Sequence, residues 1–433
     1  MALETSAKNN VVTNLVSDMI LPPMIRVRQV MDESHIAQDD IPSIIREGFM
    51  NSPARQRIKP GMSVAITCGS RGVANIAVIT KAIVETMREI GADPFVFPAM
   101  GSHGGATAEG QIMVLSQYGI TEEYLGCPIK SSMETAEIGQ TPDGLPVFAD
   151  KHALEADAII LCGRIKAHTA FQGDYESGLL KMAVIGMGKQ HGAETVHEPG
   201  FTHMAKLLPE CAKVIFDNTN IVSGVGIVEN AFHQTCGIDV LDRDEIFSRE
   251  PEILLMAKRR MGRLFLDNLD VLVVDRMGKN ISGDGMDPHV TGRFPDPEAI
   301  TGGLKVKRLA VLDLTDETHG NCNGVGHADV TTKRLVDKID VDETYPNGVT
   351  STVINVCKIP LFTHSDRACI QLALRTTYGA DKKNSRIVRI RDTADVTGIW
   401  ISPALLEEAR LNPLIEIIGE PEEWPFNLDG NLW

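Results

Sequence analysis

The chain has 433 residues, enough for two domains. Hydrophobic residues make up 43% and charged ones 23%, the composition of a globular protein that can bury a large core. Against 58 acidic side chains stand 42 basic ones, and the net charge of −16 argues against nucleic acid or an anionic membrane surface as the main partner. An anionic substrate would have to be drawn in by local cations, because the overall field opposes it. Eight cysteines without a C-x-x-C pair read as scattered thiols of a cytoplasmic protein rather than a zinc or redox motif. The chain opens without a basic, apolar leader pattern and has no run of about 18 apolar residues, so neither a signal peptide nor a membrane-spanning helix is expected.

Short β-branched runs then alternate with helical patterns, the mark of βαβ units around a mostly parallel sheet. The first set predicts strands at 63–67, 94–98, 158–162 and 214–217, with helices at 76–90, 108–118 and 201–213. A helix over 244–263 follows. A second set has strands at 271–275, 309–314, 352–356 and 386–390, and helices at 330–339 and 365–374. The expected fold is therefore α/β: two α/β domains with mainly parallel sheets and an active-site cleft between them. The boundary is set near 266–270. Residues 1–267 would be the catalytic and cofactor-binding domain and 268–394 the domain closing over the site. The tail 395–433, with a helix at 403–410 and an extended 414–418, is expected to return to the first domain.

Open α/β sheets keep their sites just past the carboxyl ends of strands, and three such segments carry reactive groups. Cys68-Gly69-Ser70-Arg71-Gly72 follows the first strand, and Met100-Gly101-Ser102-His103-Gly104-Gly105 follows the second. The stretch Ile165 to His197 follows the third and holds His168, Lys181, His191 and His197 among glycines that include Gly178. Neither glycine-rich segment matches the dinucleotide or P-loop pattern. A histidine with an ordinary pKa of about 6.5 can take and return a proton at neutral pH, and a deprotonated lysine is a nucleophile and hence a covalent tether. Taken singly, each of these residues is about as often a surface loop residue. Together at three strand ends they point to a site. His191 and His197 are six residues apart and share no helix face, so they are not an H-E-x-x-H zinc pair. Either could still be a lone imidazole ligand. In the second half, the loop 277–287 carries Lys279 and is followed by His289 and Arg293, while 319–324 is a second polar loop. Both are read as the facing wall of a small-molecule cleft.

On these residues the chain resembles the lactate racemase family, whose members use a nickel-pincer nucleotide cofactor. The likeness runs over most of the chain and is most specific between Gly163 and His197. It implies a racemase or epimerase that inverts the hydroxyl-bearing carbon of a 2-hydroxy acid by proton-coupled hydride transfer. It also implies His103, in a G-[ST]-H loop, and His168 as the acid/base pair. Lys181 would carry the cofactor, the nickel complex of pyridinium-3,5-bisthiocarboxylic acid mononucleotide. Gly101, Ser102 and Gly178 would line its seat, and His197, sixteen residues beyond Lys181, would ligate nickel. Arg71 would hold the substrate carboxylate, helped by Lys279. The family's first loop often reads D-x-T-R, whereas here Cys68 stands in place of the acid. Its G-T-H-R is here Gly101-Ser102-His103-Gly104. These departures, a longer 168–181 segment and a different 279–293 loop suggest a larger or more polar hydroxy acid. The implied partners are that small molecule and the cofactor-maturation enzymes, with no nucleic acid and no membrane; homo-oligomerisation is left open.

Two other readings compete. One is a metal-dependent hydrolase or lyase using His168, His191 and His197 as ligands. The other is a non-catalytic phosphate- or nucleotide-binding protein.

Overall fold

A computed structural model describes residues 11–69, 72–296, 298–300 and 302–433. The chain divides into two compact units. One is Asp32–Met261, and the other joins the described residues up to Met31 with Gly262–Trp433.

The 32–261 unit is built on a five-stranded sheet in the order Asp93–Pro98, Ser63–Cys68, Ala158–Arg164, Ile221–Glu229, Thr235–Asp242. The first four strands are parallel and the last is antiparallel. The runs Val64–Ile66 and Ala158–Leu161 are fully buried, as continuous apolar strands covered on both faces must be. Helices Ile41–Asn51 and Ile76–Ile90 cover one face through Ile45, Phe49, Ile79 and Ile83. Helix Ile76–Ile90 ends on Gly91, whose φ of 91° makes a left-handed cap that glycine supplies without strain. Helices Met204–Asn218 and Arg243–Arg260 also flank the strands, the latter opened by a reciprocal cap between Asp242 and Glu245. A two-stranded antiparallel ribbon, Thr135–Gln140 with Pro146–Asp150, belongs to the same unit.

The other unit has an eight-stranded sheet in the order Leu361–Thr363, Val330–Thr332, Val306–Val311, Leu269–Val274, Ile387–Ile390, Gly398–Ile401, Ile25–Gln29, Ile415–Ile417. Its first five strands are parallel and the last three join antiparallel.

The fold is α/β with mainly parallel sheets. The division of the chain differs from the expected one. The tail does not return to the 32–261 unit, because Ile415–Ile417 pairs with Ile25–Gln29, which in turn pairs with Gly398–Ile401. These ladders place the segment before Asp32 and the tail in one sheet with residues beyond 262, and the first break falls at 31/32. Three elements also differ. Residues 214–217 end the helix Met204–Asn218, and the fourth strand comes later at Ile221–Glu229. Residues 330–332 form a strand before a short helix, Lys333–Asp337. Residues 354–357 form a 3₁₀ turn after helix Val341–Ser351.

Candidate active site

The strand order of the first sheet reverses between Ser63–Cys68 and Ala158–Arg164. The chain leaves the former toward Asp93–Pro98 on one side and returns to the latter on the other. Loops diverging from neighbouring strand ends open a crevice there. A cavity of about 250 Å³ occupies it, lined by Gly69, the 99–103 loop, Cys162–Arg164, His168, Lys181 and His197 among the described residues. Glycine shapes its floor. Cβ atoms added at Gly69 and Gly163 would stand 3.2 and 3.1 Å from the Met182 methyl, so that side chain lies closely across both strand ends. Met182 begins a π-helical turn, Met182–Gly186, directly after Lys181. Such turns inside helices are frequent at functional sites.

His168 and Lys181 meet in this cavity, with Nε2 and Nζ 2.7 Å apart. The backbone N–H of Ala170 donates to His168 Nδ1 at 3.0 Å. A neutral His168 then carries its proton on Nε2 and directs it at the Lys181 nitrogen, an arrangement that suits an uncharged amine. Glu176, buried at 1% exposure, fixes the loop by accepting from the N–H groups of His168 at 2.7 Å and Gly173 at 3.2 Å. Lys258 balances its charge at 2.6 Å. The His168 ring centroid lies 4.3 Å from that of Phe171 and 6.1 Å from that of Phe201, and His197 lies 5.7 Å from Phe201. Burial pushes the His197 imidazole down to about 4. It is therefore neutral at physiological pH, the form in which histidine binds a metal.

Lys181 rests on a buried acid. Glu250 accepts from the N–H of Leu180 at 3.0 Å, at the start of the helical segment that bears Lys181. Gly178 makes this approach possible, since a Cβ there would stand 2.0 Å from Glu250 Oε1. Burial raises the Glu250 carboxyl to about 7, against the opposing pull of the Leu180 and Leu179 N–H groups.

His103 is exposed on the loop after Asp93–Pro98 and lines the same cavity. Gly101, with φ of 58°, turns the chain there, and a Cβ at Gly186 would stand 2.7 Å from the Ala99 carbonyl oxygen. Close backbone packing thus seats the His103 loop on the segment after Lys181.

The structure therefore gathers Gly101, Ser102, His103, His168, Gly178, Lys181 and His197 around one cavity. His191 is not among the lining residues. It is exposed, with its ring edge-on to Phe148 at 4.2 Å, so the three-histidine ligand set of the hydrolase reading is not assembled. Among the described residues no group of three or more His, Cys, Asp or Glu is placed to hold a metal. Cys68, at the position of the family's acid, is buried beside Thr80 and its thiol is pushed up to about 12, which leaves it inert. Arg71 lies outside the described residues. Lys279 belongs to the other unit, where its Nζ donates to Asn347 Oδ1. Sequence reasoning missed Glu176, Glu250, Gln111 and Lys189. They look like ordinary helix and loop polar residues, and only their complete burial separates them from surface ones.

Residues 16–206 match the family described as the lactate racemase N-terminal domain. The chain thus resembles the lactate racemase family over that N-terminal segment. It is accordingly an enzyme, an isomerase of the racemase type. Two solved structures share the fold of this lactate racemase relative. The lactate racemase apoprotein from Thermoanaerobacterium thermosaccharolyticum is 12% identical, with a TM-score of 0.53, over 86% of this chain and 99% of that one. A protein from Thermotoga maritima is 13% identical, with a TM-score of 0.50, over 85% of this chain and 99% of that one. No curated protein matches the sequence.

Proposed function

We propose that this lactate racemase relative is a 2-hydroxyacid racemase or epimerase that works with a nickel-pincer nucleotide held on Lys181. The observation that carries the reading is the 2.7 Å contact between His168 Nε2 and Lys181 Nζ, in a cavity shared with His103 and a neutral His197. The residues present fit the group. An amine facing a neutral imidazole can form the amide-type tether, and an imidazole pushed down to about 4 is ready to ligate nickel.

When bound, the group would supply the two-electron acceptor that no protein side chain can provide for the hydrogen on the hydroxyl-bearing carbon. The chain's own residues would do the rest. His103 and His168 would take the hydroxyl proton, one for each enantiomer, and return it in the reverse direction. Arg71 would grip the carboxylate with its planar fork, and Lys279 would add a second cation. Lys166, which also lines the cavity, supplies local positive charge in a protein whose net charge of −16 repels an anionic substrate. Among the described residues no helix is long and apolar enough to cross a membrane. The reading places the enzyme in the cytoplasm, served by cofactor-maturation enzymes.

Peptide mass mapping with nickel quantification tests this on protein made with and without those enzymes. A nucleotide-derived adduct on Lys181 is expected only in the first preparation. His197→Ala should weaken nickel retention and leave the lysine linkage in place. An active racemase with unmodified Lys181, or one active without nickel, overturns the reading.

A further inference from the structure

Lys189 stands where a lysine is least expected. Its side chain is completely buried, and its backbone has φ of 54°, a left-handed conformation that strains a non-glycine residue. Glycine would relieve that strain, so the side chain itself must account for the residue. The ammonium has three N–H donors and no acceptor. Two acceptors meet it, the Pro98 carbonyl and Gln111 Oε1 at 3.2 Å, and Asp150 Oδ2 makes an ion pair with it at 3.1 Å. Asp150 offsets the buried charge, although burial still lowers the lysine below its usual range.

The consequence lies one bond further on. Because Lys189 can only donate, Gln111 must present its oxygen to it, and the amide orientation is set. The Gln111 NH₂ group is thereby aimed the other way, where it donates to the carbonyls of Gly101 at 2.9 Å and His103 at 3.2 Å. Gln111 is itself fully buried, so both donors need these acceptors. Lys189 is also the first residue of the helix Lys189–His197, whose last residue is His197. One buried side chain thus joins the start of the His197 helix to the backbone that carries His103.

We propose that Lys189, acting through Gln111, is a positioning residue that sets the His103 imidazole relative to the Lys181–His197 segment. The inference rests on the proposed function only in giving His103 a proton-transfer role. Its test needs neither cofactor nor turnover. Purified full-length protein is treated with diethyl pyrocarbonate, and the acylation rate of each histidine is followed by peptide mass mapping. The variants are Gln111→Leu, which removes the amide but leaves Lys189 with Pro98 and Asp150, and Lys189→Met, which frees the amide to rotate. In both, at a pH well below the ordinary imidazole pKa of about 6.5, where the reactive neutral form is the minor one, the His103 rate should change by about tenfold, as a shift of roughly one pKa unit would produce. The exposed His35 and His233 serve as references and should stay within about twofold. The double variant should change His103 no more than the larger single effect, because the two residues act in series. A folded Gln111→Leu protein with an unchanged His103 rate overturns the proposal. So do references that move with His103, or two variants that both fail to fold, because the role is then structural. An unmodified Lys181 would sink the cofactor reading and leave this measurement standing.

Discussion

In the 32–261 unit the glycines past the strand ends bring foreign side chains close. Gly69 and Gly163 admit Met182, and Gly178 admits Glu250. Past the central strands of the other unit, glycines close one loop on another. A Cβ at Gly285 would stand 2.4 Å from the Asn323 carbonyl oxygen, and one at Gly324 would stand 1.7 Å from that of Asp284. There Gly278 N–H donates to Gly285 O at 2.9 Å, Lys279 N–H to Thr318 Oγ1 at 3.1 Å and Thr315 to Asn280 at 2.7 Å. One buried acid of the first unit, Glu250, differs from two in the second. Asp275 and Asp366 are each paired with an arginine, Arg389 and Arg334, both at 2.8 Å. Glu250 is held by backbone N–H groups, and its Oε1 has no hydrogen-bond partner among the described residues. A glycine-rich strand-end loop is thus no sign of chemistry by itself. What separates the two regions is what the loops gather, since only in the 32–261 unit do His103, His168, Lys181 and His197 line one cavity.

The largest effects should come from the cavity histidines. His103→Ala and His168→Ala should each lower kcat by about 10²–10⁴-fold in cofactor-loaded protein, the usual contribution of a general acid or base. His103 is exposed, so its replacement should move unfolding free energy by no more than about 0.5 kcal/mol. Near-wild-type turnover in both variants would break the contrast between the two loop sets. Lys279→Ala probes the other side. Loss of one charged hydrogen bond to substrate, worth about 1.5–3 kcal/mol, should appear as a raised KM with little change in kcat. A KM that does not move would leave Lys279 to Asn347 and the folding of its own unit.

Gly178→Ala comes next, read by urea unfolding. At φ of −176° the backbone accepts alanine, so the cost is the collision alone. The new methyl would drive Glu250 off the Leu180 N–H, and overpacking together with the lost bond should cost about 2–4 kcal/mol. In a Glu250→Ala background the same substitution should cost much less, since the colliding atom is gone. Equal costs in the two backgrounds would show that Gly178 is needed for another reason.

Much of the sheet that positions the site was legible in the sequence. The runs at 63–67, 94–98 and 158–162 are apolar and β-branched because both faces are covered, and they are strands in the structure. The failures have physical causes. Val214-Ile215-Phe216 reads as a strand by composition, yet it ends a helix in which Met204, Leu207, Leu208, Cys211, Ala212 and Ile215 recur at helical spacing and are buried. The true strand Ile221–Glu229 is diluted by Ser223, Gly224 and Gly226, and the bulk of Leu179, Ile246 and Ile165 against those glycines explains why no side chain fits there. Pairing of Ile25–Gln29 with strands near residues 400 and 416 leaves no local trace. The gathering of His103, His168, Lys181 and His197 around one cavity was legible because they follow strand ends within short stretches of sequence. Its supports were not, because a buried Lys189 or Glu250 differs from a surface residue only in what packs over it.

Glu250 gives the smallest and most diagnostic prediction. Its carboxyl is raised from 4.5 to about 7 in the folded protein by burial. A carboxyl raised in this way binds a proton more readily in the folded than in the unfolded state. Its contribution to stability is therefore best below its unfolded value of 4.5 and worsens as pH rises to about 7. Above that the penalty is constant, at most about 3 kcal/mol. A glutamine side chain in its place cannot ionise but keeps an oxygen for the Leu180 N–H. Glu250→Gln should then be more stable than the wild type at pH 8 by up to about 3 kcal/mol, with the gain shrinking toward pH 5 as the wild-type carboxyl takes up its proton. Asp275→Asn makes the opposite case, because it leaves the largely buried Arg389 without its ion partner and should destabilise near neutral pH. Urea unfolding of both variants at several pH values between 5 and 8 separates the two kinds of buried acid. A Glu250→Gln difference that is flat across this range, or that grows as pH falls, would mean that Glu250 keeps its charge in the folded protein.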